Sequence, residues 1–133
     1  MPFRHRSLAA VGGLALLLAA SVCEASCLAP TAPGTFPDGT TASLEEMVAG
    51  QKSVKEFIAQ ADQYIDCVSS ETPKYDPKKS YSDKEKETMA ATQAAAQKKI
   101  DAVETDKTAV AERFNVQLRA YKARAAAASA PKN

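Results

Sequence analysis

Between Ser43 and Ser70 apolar residues recur in sevens, which limits the chain to folds in which a one-sided helix finds a partner. One series is Leu44, Gln51, Ile58 and Ile65, and a second is Met47, Val54, Ala61 and Val68. Gln51 alone among them is polar. Gly50, Phe57 and Tyr64 keep the same interval beside them, so the stripe is wider than a strict two-position coiled-coil seam. On this spacing the first two series form the seam, and Ile58 faces the partner helix.

Local signals set where the helix starts and stops. Ser43 with Glu46 three residues later is a capping box, and Glu45 and Glu46 suit the positive end of the helix dipole. Pro73 and Pro77 end the helix near Ser69 or Ser70, because neither proline, nor the residue before it, continues helical geometry. Ser82 with Glu85 opens a second helix, and no proline or glycine follows until after residue 128. Met89, Ala96, Val103 and Val110 recur in sevens beside Ile100, Phe114 and Tyr121, with Gln93 and Lys107 interrupting.

The expected fold is all-α: an antiparallel, coiled-coil-like two-helix hairpin over residues 42–128, with a disordered tail over 129–133. Residues 26–41, with Pro30, Pro33 and Pro37, read as an extended N-terminal arm ending in a Pro37-Asp38-Gly39 turn. At 1.5 Å per residue the helices are about 40 and about 70 Å long, so the second overshoots by about 30 Å. Beyond about Val110 its apolar residues are expected to have no partner on the first helix.

Ahead of the arm, Arg4, His5 and Arg6 precede an apolar run from Leu8 to Ala20, then small residues. This is the pattern of a secretory signal peptide over residues 1–25, cleaved after Ala25, and it predicts a periplasmic or secreted protein. The run is shorter than the roughly 20 residues a membrane span takes. Lipidation is disfavoured, since Val22 precedes Cys23 and Glu24 lies three positions before Cys27.

Cleavage leaves Cys27 and Cys67 in a compartment that permits disulfides. The arm can reach: fully extended it spans up to about 50 Å, against roughly 37 Å from Ser43 to Cys67. A bond between them would staple the arm back along the first helix and contribute roughly 4 kcal/mol in the chain-entropy picture. No Cys-x-x-Cys motif accompanies them.

Charge and composition exclude whole classes of chemistry. After cleavage the chain holds 15 basic and 15 acidic side chains, which argues against nucleic acid as a partner. The two halves carry opposite charge: residues 26–71 have seven acidic and two basic residues, and 72–133 have eight acidic and thirteen basic. Complementary arms of a hairpin account for this. The only histidine, His5, leaves with the signal peptide, and no glycine-rich phosphate loop is present. We therefore expect no catalytic residue, no cofactor and no metal site. Asp62 and Asp66, one turn apart, read as solvated carboxylates, and Tyr64 and Tyr81 read as packing residues.

The run Pro37-Asp38-Gly39, Ala42-Ser43, Glu46-Met47, Gln51, Val54-Lys55, Phe57, Tyr64 and Cys67 resembles a family of small exported proteobacterial proteins of unknown function. The resemblance covers about a third of the chain. It implies an envelope location and supports the Cys27–Cys67 pairing, and it brings no catalytic residue.

Two functional readings remain. The first is a non-enzymatic periplasmic binding, scaffold or chaperone-like protein, whose partner is an envelope protein or a second copy of itself. The second is a peripheral binder of an anionic membrane or cell-wall surface. Its candidate surface is the stripe Phe114, Leu118 and Tyr121, within about 60° on a wheel at 100° per residue, flanked by Arg113 and Arg124 on one side and by Arg119 and Lys122 on the other. A dimer seam, or packing onto the arm near Phe36, accounts for the same residues.

Overall fold

The computed structural model describes residues 27–130, so the signal-peptide expectation and the last three residues lie outside it. Helix α1 spans Leu44–Glu71 and helix α2 spans Asp83–Ser129, and the described residues hold no strand. The fold is the expected all-α hairpin with an N-terminal arm.

Both capping boxes form. Ser43 Oγ accepts from the Glu46 N–H at 3.2 Å while the Ser43 N–H donates to Glu46 Oε2 at 2.7 Å. Ser82 and Glu85 repeat the pattern at 3.3 and 2.7 Å. These bonds favour the ionised carboxylates and hold both below their usual value of 4.5: the backbone N–H of Ser43 contributes most at Glu46, and the hydroxyl of Ser82 most at Glu85. A depressed carboxylate pKa contributes stability that is full above pH 4.5 and lost as pH falls through the lower folded value. Acidification below pH 4.5 is therefore expected to fray the first turns of both helices, shifting the amide resonances of Ser43 and Ser82 first. Unchanged amides across that range would contradict it. α1 closes at Thr72, whose N–H and hydroxyl both donate to the Val68 carbonyl, at 3.1 and 2.6 Å. Pro73 follows and stops further winding.

The buried face of α1 is Met47, Gly50, Val54, Phe57, Ala61, Tyr64 and Val68, in strict alternation of three and four residues. This corrects the expected seam. The Met47 series is retained, but its companion is Gly50, Phe57 and Tyr64 rather than Leu44, Gln51, Ile58 and Ile65. Leu44 is 65% exposed, Gln51 is exposed, and Ile58 and Ile65 are half-buried at the flank. The arm causes the rotation: Pro37 packs on Gly50, Phe36 joins the same cluster, and burial shifts toward the side the arm covers.

On α2, Ala96, Val103, Val110 and Phe114 are buried. They complete two clusters, one around Phe57, Val110 and Phe114 and one around Ala61, Tyr64 and Val103. Lys107, an expected interruption of the stripe, sits between them. Its ammonium donates to Asp62 at 2.7 Å and to Glu104 at 3.2 Å, and the Asp62 bond is the main reason its pKa lies above the usual 10.5. The stem can stay in the apolar groove because the charge is met at the edge.

The overshoot of α2 is shared between its two ends, which corrects the expectation that the apolar residues beyond Val110 find no partner on α1. Phe114 stands against Gly50. Such a register is possible because the connecting segment does not turn tightly. It runs beside the first turns of α2, where Gln93 Nε2 donates to the Pro73 carbonyl at 2.9 Å. Tyr81 accepts there from the Asp76 N–H at 3.3 Å, and its ring lies 5.5 Å from that of Tyr75.

The arm runs back along the hairpin as the cysteine count predicts. Cys27 and Cys67 are bonded, with Cα atoms 5.8 Å apart. The arm thus acts as a third packing element for a core that two helices alone would leave thin.

Candidate functional site

The residues singled out on α2 meet the arm. Phe114 is buried, and Phe36 packs edge-on against it with ring centroids 5.9 Å apart. Arg113 lies with its guanidinium 5.6 Å from the Phe36 ring centre. Leu118 and Tyr121 are half-buried against the same cluster. Arg124 sits 5.2 Å over the Tyr121 ring and donates to the carbonyls of Thr40, at 3.0 Å, and of Ala42. Arg119 and Lys122 stay exposed. The apolar stripe is therefore occupied by this chain's own arm, the third of the sequence alternatives. Of the basic flank, two residues are tied to the arm and two face solvent.

Gly39 and Gln117 complete this junction, a contact that no local sequence pattern marks. The Gly39 N–H donates to Gln117 Oε1 at 3.0 Å, and Gly39 is buried against the α2 backbone. The turn itself is local. Thr41 and Ala42 donate to the Asp38 carbonyl at 3.0 and 2.7 Å. The Asp38 carboxylate accepts from the Thr40 hydroxyl and N–H at 2.7 and 2.8 Å, which, with the Arg124 charge, lowers its pKa. The signal for Gly39 was present as a turn motif, but that α2 backs onto the turn is a tertiary fact.

Asp62 and Asp66 are not brought together as a metal pair, since Asp62 accepts from Lys107 and Asp66 faces solvent. Cys27, Cys67 and Glu71 cluster, with Glu71 Oε2 3.0 Å from Cys27 Sγ. Both sulfurs are committed to each other, so the trio offers no thiolate ligand. Tyr64 is buried in the core, as read.

The concave surfaces are open grooves. One of about 390 Å³ lies where the loop meets α2, floored by Pro73, Tyr81 and Met89 with Lys84 and Thr88 at its edge. Another, about 460 Å³, follows the arm past Pro30, Gln60, Gln63 and Tyr64. Neither gathers a nucleophile, a base and an oxyanion donor. No helix among the described residues is long and apolar enough to cross a membrane. A search of family models, of curated proteins and of solved structures returned no match to this chain.

Proposed function

We propose that this is an exported, non-enzymatic binding or scaffold protein, with chaperone-like contact to apolar segments of an envelope partner as its mode of action. The observation that carries this reading is the exposed apolar pair Leu44 and Val48, one turn apart on α1 and 65% and 56% exposed. Neither packs under the arm, and Val116 on α2 is 51% exposed as well. An elongated hairpin that keeps its core covered while showing such residues suits contact with another chain better than enclosure of a small substrate.

The anionic-surface reading has less support, because Phe114, which would have to enter the surface, is buried beneath Phe36. One experiment separates the two. The purified mature protein is expected to slow aggregation of a chemically unfolded client, and Leu44→Glu with Val48→Glu to abolish this while leaving the melting temperature within about 2 °C, as for surface changes. No effect on the client, together with salt-sensitive sedimentation on phosphatidylglycerol vesicles that is lost in Arg119→Gln with Lys122→Gln, would replace the first reading by the second.

A further inference from the structure

The arm is held very unevenly along its length. From Phe36 onward it is anchored at many points: Phe36 on Phe114, Pro37 on Gly50, the Gly39 N–H on Gln117, and the Thr40 and Ala42 carbonyls on Arg124. Before Phe36 the picture reverses. No backbone hydrogen bond is made by residues 28–35 among the described residues. Leu28 is 84% exposed, Ala29, Thr31, Gly34 and Thr35 are exposed, and Pro30, Ala32 and Pro33 are half-buried, of which Ala32 alone is a side contact to the Phe57 cluster. An extended segment with so few contacts does not offset its own ordering entropy, which runs to about 1–2 kcal/mol per residue. The covalent bond at Cys27 supplies what the contacts lack.

We propose that the Cys27–Cys67 disulfide is a latch: its reduction releases the arm before Phe36 while the hairpin and the turn at Asp38–Ala42 stay in place. The helices have their own ties, since both capping boxes, the core around Phe57, Val110 and Phe114, and the Lys107–Asp62 pair are all independent of Cys27. Release takes away the wall that Leu28, Ala29, Pro30 and Thr31 form beside the strip of Gln60, Gln63 and Tyr64, and it frees the Cys27 side of a separate groove past Val68, Ala95 and Ala96. Half of this strip is apolar, so opening adds a second contact surface to the one formed by Leu44 and Val48.

The exchange needs a dithiol reductant. Its thiolate attacks one sulfur and the Cys27–Cys67 bond breaks; its second thiolate then displaces the protein sulfur from the mixed disulfide. Two electrons pass to the protein, the two cysteines end as thiols after taking up two protons, and the reductant ends as a disulfide.

As a surface for partners the uncovered strip rests on the binding reading, but the latch does not. Backbone ¹⁵N relaxation on the full mature chain, with and without dithiothreitol, tests it. In the oxidised protein Leu28, Ala29, Thr31, Ala32 and Gly34 are expected to show order parameters near about 0.85, falling below about 0.6 on reduction. Gly39, Thr40 and Ala42 should stay near the rigid value, far-UV helicity should hold, and reoxidation should reverse the change. Cys27→Ser with Cys67→Ser should reproduce the reduced state without reductant. Helices that melt on reduction would make the bond a staple of the whole fold and overturn the latch. An arm that stays rigid would overturn it from the other side. If the latch opens but the client assay shows no binding, only the binding reading falls.

Discussion

Val110→Asp is expected to leave the protein largely unfolded at 25 °C. Val110 is fully buried, in one cluster with Met47, Val54, Phe57 and Phe114. An aspartate there would have no hydrogen-bond donor or counter-charge in the cluster, whose members are all apolar. Burying it costs several kcal/mol, a large share of the roughly 5–15 kcal/mol that holds a domain of this size together. Ala94→Asp, on the exposed side of the same helix, should cost about 1 kcal/mol or less, mostly through helix propensity. Thermal melts followed by circular dichroism compare the two. Equal melting temperatures for Val110→Asp and the parent would show that α2 does not bury this face.

Gly39→Ala carries the second large effect, and it acts between elements of the chain. A methyl group on Gly39 would clash with the Gln117 carbonyl oxygen and lie 2.8 Å from the Tyr121 nitrogen, both backbone atoms of a continuous helix. α2 cannot yield there without breaking its own hydrogen bonds, so the turn must lift. Lifting it severs the Gly39–Gln117 bond and pulls the Thr40 and Ala42 carbonyls from Arg124. The expected loss is about 3 kcal/mol. The glycine is needed for close approach rather than for unusual dihedrals, since no glycine among the described residues has positive φ. Gly34→Ala is the control: nothing lies within 4 Å of the added methyl, and a gain of up to about 1 kcal/mol is expected from a stiffer unfolded chain. Equal urea midpoints for Gly39→Ala and Gly34→Ala would refute the close approach.

These two positions also mark the line between what sequence reading reached and what it did not. Val110 was on the heptad pattern of α2 and is buried, because a helical stripe is a property of one segment and needs no knowledge of its neighbour. Gly39 belongs to a turn that Pro37-Asp38-Gly39 makes legible, yet its burial depends on Gln117, 78 residues further along the chain. The candidate surface divides in the same way: the stripe of Phe114, Leu118 and Tyr121 was visible, but its occupant was one of several that the sequence left open. Arg113 and Arg124, read as a flank for an anionic surface, are taken up by the Phe36 ring and by two backbone carbonyls.

The local interactions were decided within the sequence. Ser43 with Glu46, Ser82 with Glu85, and Pro73 after Thr72 act over three or four residues, so the starts of both helices and the end of the first follow from short-range chemistry. The pairing of Cys27 with Cys67 was legible because the expected cleavage after Ala25 would leave two of the three cysteines, with an arm long enough to join them. The seam of α1 was decided only in three dimensions. Phe57 and Ile58 are adjacent and both apolar, so a one-residue rotation serves either series about equally well against a single partner helix. The arm bears on that choice, because Pro37 packs on Gly50 and Phe36 joins the cluster that buries Phe57 and leaves Ile58 half-buried at its edge. The register of α2 was settled in the same way, by a connecting loop that lies along the helix and brings Phe114 opposite Gly50, where the absence of a side chain leaves room for its ring.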